Sequence, residues 1–230
     1  MAPAPGPLTL HCEPAALRAV RQAPLQLHAV LRNAGDRPCT VDLGADGLQA
    51  LRLHVQRPDG STAEGLRIAC SGFAADGEVD LAPQATHRIA VLLQRWHPFK
   101  RVGAYRVRLS LQLGDAVLPA APVVVSVMRR NAAELSRCAQ ALLERALQPG
   151  MAPATVEAAQ ALAWMGAPEA VPALLQLLER APRLRGLALQ GLAHVGDAAA
   201  RERLAQLAAS ADPELALQAA RALRSQARPG

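Results

Sequence analysis

Aromatic residues are nearly missing from this sequence: two Trp, two Phe and one Tyr among 230 residues. The interior must therefore be built from Leu, Val and Ala, which the 51% apolar composition supplies. Cysteine is scarce too. Cys12, Cys39, Cys70 and Cys138 are too scattered for a disulfide scaffold, and no C-x-x-C pair exists to suggest the usual zinc or redox motifs. No apolar run approaches the roughly 20 residues of a membrane helix, so no membrane span is expected. The opening Met1-Ala2-Pro3-Ala4-Pro5-Gly6-Pro7 has neither the basic start nor the apolar middle of a secretory signal. That points to the cytoplasm for the chain as given, or to a periplasmic or extracytoplasmic site if a leader has been removed. H-E-x-x-H helices, nucleophile elbows and Gly-rich phosphate loops are all lacking. Catalytic residues, cofactors and metals are therefore expected to be none, and the chain is read as non-enzymatic.

Lysine is the other scarcity, with Lys100 alone against 24 Arg. The net charge of +6 raises the question of nucleic acid, and its distribution answers it. Through Arg130 there are 15 basic and 10 acidic residues; from Asn131 onward there are 10 and 9. A phosphate-tracking surface needs basic residues clustered on one face. Lys100-Arg101 with Arg106 and Arg108, and Arg129-Arg130, read instead as solvated strand faces and a linker. A nucleic-acid-binding function ranks third on this ground.

What is present falls into two patterns. In the first half, Leu8 to Cys12 suggests a short strand, and Leu25, Leu27, Ala29 and Leu31 alternate with Gln26, His28, Val30 and Arg32 in the period of two that marks a half-buried strand. Asn33-Ala34-Gly35-Asp36 is turn chemistry. Val41 and Leu43 mark another strand. Leu51, Leu53 and Val55 mark the next, which ends in the Pro58-Asp59-Gly60 turn. Residues from Ser61 to Asp80 read as loops with one short edge strand around Leu66 to Cys70. Alternation resumes at Ile89 to Leu93 and Val107 to Leu113, and Val123 to Met128 closes the series. Short strands spaced by turns predict an antiparallel β-sandwich of about seven strands. Gly103-Ala104-Tyr105 resembles the tyrosine corner of immunoglobulin-like domains, a likeness that covers roughly Leu8 to Met128. It implies an immunoglobulin-like fold in which the Tyr105 hydroxyl ties back to upstream backbone. The paired inter-sheet cysteines of antibody domains are missing, so no structural disulfide is expected.

The second pattern is a repeat. Ala158-Ala159-Gln160-Ala161-Leu162-Ala163-Trp164-Met165-Gly166 returns 30 positions on as Ala188-Leu189-Gln190-Gly191-Leu192-Ala193-His194-Val195-Gly196, and 31 further as Ala219-Ala220-Arg221-Ala222-Leu223. Between copies, Val171, Leu174 and Leu177 align with Arg201, Leu204 and Leu207. Such a period marks a solenoid of helical hairpins, each burying its apolar face against its neighbours. Leu135, Cys138, Leu142, Leu143 and Leu147 place a further helix at the start. Pro149-Gly150 stops it, Pro153, Pro168 and Pro213 suit first helical positions, and Asp197 and Asp212 suit caps. These residues resemble HEAT repeats of the bacterial kind related to phycobilin-lyase HEAT-like repeats, over about Glu134 to Gln226. The expected organisation is thus a flexible lead over 1–7, an immunoglobulin-like β-sandwich over 8–130, and an all-α HEAT-like solenoid of about three hairpins over 131–228.

HEAT resemblance implies a scaffold or partner-binding surface, with another protein as partner and no catalytic residue carried over. Joined to an immunoglobulin-like module, it implies a bacterial interaction protein with a second adhesion or positioning domain. The alternative is an accessory or inhibitor of an enzyme system acting through sandwich loops. Aligning the copies stacks Gln160, Gln190 and Arg221 in one row and Trp164, His194 and Ser225 in another. Rows four residues apart share a helix face. The apolar stripe, Leu162, Leu192 and Leu223 with Ala158, Ala188 and Ala219, must be buried. By the resemblance, second helices line the concave side. Gln160, Trp164, Gln190, His194 and Arg221 are therefore the expected partner-binding residues, with Trp164 either the anchor of that ridge or a piece of core. His28 and His54 fall on outward strand positions and could share a metal only if their strands were neighbours. His11 and Cys12 point to opposite faces. Trp96-His97-Pro98-Phe99 reads as a plug over one end of the sandwich, or else as a ligand-contact loop.

Overall fold

The computed structural model describes residues 8–14, 17–44, 48–65, 77–150 and 152–226, with side chains through Arg224. The lead over 1–7 and the edge strand expected around Leu66 to Cys70 lie outside those residues. The N-terminal part is strand-rich and the C-terminal part is helical. Contacts divide the chain into two compact units. One takes in residues up to Ala19 with Leu25–Met128, and the other takes in Val20–Pro24 and the chain from Arg129.

The first unit is built on strands β1 (Leu8–Pro14), β2 (Arg18–Val20), β3 (Gln26–Asn33), β4 (Cys39–Asp42), β5 (Leu51–Gln56), β6 (Thr62–Glu64), β7 (Glu78–Leu81), β8 (Thr86–Leu92), β9 (Gly103–Leu113), β10 (Ala116–Pro119) and β11 (Val123–Met128). That makes eleven strands among the described residues, where alternation predicts about seven. The additional ones are β2, β6, β7 and β10, each three or four residues long. Two turns of a period-two pattern cannot be told from chance in so short a run.

Among the described residues these strands form three sheets. β3 lies between β1 and β8; β4 pairs with β7; and a six-stranded sheet runs β2-β11-β9-β5-β6, with β10 also on β9. β9 is its centre. β5 pairs along Arg106–Leu111 on one edge, while β11 takes Gly103–Val107 and β10 takes Ser110–Leu113 on the other. Register decides which face is core. Leu53 opposes Leu109 and Val55 opposes Val107, and all four are at most 1% exposed. Arg52, His54, Gln56, Arg106 and Arg108 point the other way, to solvent. Leu27, Ala29 and Leu31 supply the corresponding buried face of β3.

Asn33 and Tyr105 bring polar groups into this core with partners, whereas the Trp96 indole N–H has none among the described residues. Asn33 is fully buried; its amide donates to the carbonyls of Arg37 (2.7 Å) and Leu81 (3.1 Å), and its Oδ1 accepts from Gly35 N–H at 2.9 Å. The Tyr105 hydroxyl donates to the Arg101 carbonyl at 2.9 Å and accepts from the Arg101 N–H at 3.0 Å. Its ring meets Phe99 edge-on at 4.9 Å, and His97 meets Phe99 at 5.2 Å. Trp96, His97 and Phe99 are buried, so the aromatic group of this segment is core, leaving only Pro98 exposed.

Among the described residues the second unit has six α-helices: α1 (Ala132–Ala146), α2 (Pro153–Ala163), α3 (Val171–Arg180), α4 (Arg185–Val195), α5 (Ala198–Ala208) and α6 (Pro213–Gln226). Their starts are set chemically. Asn131 Oδ1 accepts from Glu134 N–H at 3.2 Å, Asp197 Oδ1 from Ala200 N–H at 2.7 Å, and Asp212 Oδ1 from Leu215 N–H at 3.2 Å. Pro153 and Pro213 open α2 and α6. Pro168 instead opens a 3-10 turn, Pro168–Ala170, and α3 begins after it. Pro172 explains the difference, because it has no N–H to return to the Pro168 carbonyl and extend an α-helix from there. Gly166 (φ +61°) and Gly196 (φ +64°) close the second helices in the left-handed region.

Consecutive helices pack in pairs, α1 with α2, α3 with α4 and α5 with α6, while α2, α4 and α6 contact in succession. Gly191 of α4 marks a close approach: a Cβ there would lie 2.9 Å from Ala163 Cα of α2 and 2.6 Å from Leu174 Cδ2. Ala158, Leu162, Ala188, Leu192 and Ala219 are buried, and Leu223 is half-buried. Val20–Pro24 belong with these helices although they precede them by a hundred residues. Gln22, at φ +78°, donates from Nε2 to the Gly166 carbonyl at 2.8 Å and accepts from Arg130 Nε at 2.9 Å. Arg130 also pairs with Glu169.

Candidate partner-binding face of the helical unit

The residues expected to bind a partner sit at equivalent positions of the second helices, Gln160 on α2, Gln190 on α4 and Arg221 on α6. Gln160 and Gln190 are half-buried and Arg221 is exposed. Each is two residues before a leucine of the inner stripe, so about 200° around the helix from it. A row of amide, amide and guanidinium groups can donate to and accept from a partner's backbone and carboxylates without a cofactor.

The second row is different. Trp164 caps the C-terminal end of α2 and is only 6% exposed, so it is not the projecting anchor that four-residue spacing allowed. Spacing assigns a face, and what covers the end of that face comes from elsewhere in the fold. The structure does bring Trp164 and His194 together: their ring centroids are 4.8 Å apart with planes at 50°. Gly166 makes room, since a Cβ there would meet His194 Cδ2 and Nε2 at 3.0 Å. His194 keeps an exposed edge, yet shielding of its ring lowers its pKa from 6.5. The Trp164 indole N–H has no hydrogen-bond partner among the described residues. The Ser225 side chain, third member of the row, lies outside the described side chains.

Sequence reasoning missed Gln22, Arg130 and Glu169, which meet beside Gly166. The only trace of that cluster was the Arg129-Arg130 pair, which reads as linker.

Other candidates separate. His28 lies on β3 and His54 on β5, in different sheets, so the condition for a shared metal is not met. His28 Nδ1 is 3.0 Å from the Arg88 guanidinium, and His54 Nδ1 is 3.8 Å from Glu64. No group of three or more metal-capable side chains occurs among the described residues, and no described helix is long and apolar enough to cross a membrane. Cys12, Cys39 and Cys138 are free thiols; Cys70 is not among the described residues. Burial pushes Cys12 up to about 11, against a smaller opposing hydrogen bond from the Leu109 backbone, and Cys138 is raised by burial and by Glu134. A nucleophilic cysteine needs the opposite shift.

No curated protein matches this chain. Among solved structures, a β-glucosidase from Erythrobacter marinus is 11% identical with a TM-score of 0.33, covering 53% of this chain and 15% of its own. The alkylpurine DNA glycosylase AlkC from Pseudomonas fluorescens is 9% identical with a TM-score of 0.32, over 54% of this chain and 31% of its own. The sporulation control protein Spo0M from Bacillus subtilis is 12% identical with a TM-score of 0.32, over 60% and 55%. The chain thus spans about 15% of the β-glucosidase's length. Within the helical unit, residues 156–180, from α2 into the end of α3, match the PBS lyase HEAT-like repeat.

Proposed function

We propose that this protein is a non-enzymatic interaction module whose second helices, α2, α4 and α6, present the surface that binds another protein. The observation that carries the reading is the HEAT-like repeat over residues 156–180, since repeats of this kind generally mediate protein interactions. The succession of α2, α4 and α6 supports extending the repeat to a short solenoid. Gln160, Gln190 and Arg221 then form the contact row, His194 adds a polar edge, and Trp164 supports that edge from beneath. The strand unit serves as a second adhesion or positioning domain. Its reading as an immunoglobulin-like sandwich is supported by the Tyr105 corner bond and by the antiparallel pairings of β1, β3 and β8 and of β5, β9 and β11, most of whose leucines and valines are buried.

Site-directed photocrosslinking tests this. A benzoylphenylalanine at position 160, 190 or 221 is expected to trap one specific protein in the source cell. The same group at Gln176, an exposed position of the first helix α3, is expected not to. Equal trapping from both helix sets, or trapping from neither, refutes the assignment.

A further inference from the structure

On the strand unit, the outward face of the six-stranded sheet carries charge that its described neighbours leave unneutralised. Alternation along β9 puts Arg106 and Arg108 on that face, opposite Gln56 and His54 of β5 in register. Same-face positions on one strand lie about 6–7 Å apart, close enough for two guanidiniums to grip one ligand. Thr62 and Glu64 of β6 form the far wall, and the whole lines an open cleft of about 620 Å³. That is the size of a small-molecule site, typically about 300–1,000 Å³. Glu64 Oε1 lies 3.8 Å from His54 Nδ1, whereas neither Arg106 nor Arg108 has a hydrogen-bond or ion-pair partner among the described residues. Two other surface arginines of this unit do have one, Arg101 with Asp59 and Arg88 with Glu13.

We propose that this cleft binds a small oxyanion ligand, a phosphate monoester or a carboxylic acid, through the forked N–H donors of Arg106 and Arg108. Guanidinium is the side chain whose planar fork matches both anions, and a cleft with two like charges focuses potential on its floor. Gln56 and Thr62 add neutral hydrogen-bonding groups. Glu64 sets the polarity of the ligand: its carboxylate repels a second anionic end, so the ligand carries its negative charge over β9 and a hydroxyl or amine toward β6.

Calorimetry on the full chain with three probes tests this: O-phosphoethanolamine, inorganic phosphate and β-alanine. O-phosphoethanolamine is expected to bind most tightly, with Kd of about 1 mM or below, because its amine meets Glu64; β-alanine, with the same amine and a carboxylate in place of the phosphate, distinguishes carboxylate from phosphate recognition. Arg106→Gln and Arg108→Gln are each expected to weaken binding about tenfold or more, while Arg201→Gln, on exposed α5, leaves it unchanged. Should a Gln variant fail to melt cooperatively, the corresponding Lys variant keeps the charge and is expected to bind several-fold more weakly. Lack of binding by all three probes overturns the proposal. So does full affinity in the Gln or Lys variants, or equal weakening by Arg201→Gln.

Discussion

Gly186 and Gly191 lie in the same helix, and replacing each with Ala should move stability in opposite directions. At Gly186 a Cβ meets nothing within 4 Å. Ala there restricts the unfolded chain and is expected to stabilise by about 0.4–1 kcal/mol. At Gly191 the same propensity gain, about 1 kcal/mol for a helix interior, is opposed by contacts at 2.6 Å to Leu174 Cδ2 and 2.9 Å to Ala163 Cα. Leu174 is fully buried, so its rotation is blocked, and Ala163 Cα is backbone of α2. Relief therefore requires α4 to move off α2, an overpacking cost of about 1–3 kcal/mol. The net expectation for Gly191→Ala is destabilisation by about 1–2 kcal/mol, despite a residue that every propensity scale prefers. Urea melts followed by ellipticity at the helical band measure both variants. If Gly191→Ala matched Gly186→Ala, α2 and α4 would not cross as closely as the structure places them. The repeat alignment sharpens the test, because the equivalent positions, Ala161 and Ala222, are already alanine.

Asp197→Ala removes the cap of α5 and is expected to cost about 1 kcal/mol, measured in the same melts; no change would mean that the 2.7 Å bond to Ala200 N–H is not formed. Trp164→Ala is expected to cost about 3 kcal/mol or more, as truncation of a buried indole leaves a cavity; unchanged stability would return the indole to the surface. Burial holds the His194 pKa below 6.5, so the stability linked to its neutral form is complete above that value and lost as pH falls through the lowered one. Indole fluorescence should therefore change with a midpoint below 6.5, and the change should vanish in His194→Gln; a midpoint above 6.5 contradicts the packing. Cys12, raised to about 11, should alkylate at a rate that climbs through pH 10, whereas a plateau near pH 8 would mean that the thiol is open to water.

Periodicity carried most of the architecture because core residues in these elements repeat over enough positions to register. All seven strands expected outside Leu66 to Cys70 from alternation or apolar runs have counterparts, from Leu8 to Met128, and the caps Asp197 and Asp212 were legible as single residues. Strands such as Thr62–Glu64 were not, since three residues carry no period. Face assignments stopped at the helix surface. Spacing put Trp164 and His194 on one face, but only the fold shows that the indole is covered and that the two rings touch. The Arg106 and Arg108 pair was visible as a charge run, while His54, Thr62 and Glu64 are brought beside it by pairing across more than forty residues of chain. Gln22 was invisible for the same reason, lying far in sequence from Gly166 and Arg130.

β9 takes part in the pairings of three other strands, β5 on one edge and β10 and β11 sharing the other. Its hairpin with β10 closes through two residues, Gly114 (φ +57°) and Asp115, whereas its union with β5 must close a loop of more than forty residues. The entropy of loop closure favours the hairpin as the first of these pairings to form. A sheet assembled around one such strand can shed β6 or β2 from its margins and close again. It has no half-open form without β9, because detaching that strand strands β5, β10 and β11 together. The six-stranded sheet therefore behaves as one cooperative unit with tolerant borders, and its least replaceable backbone is the stretch from Gly103 to Leu113.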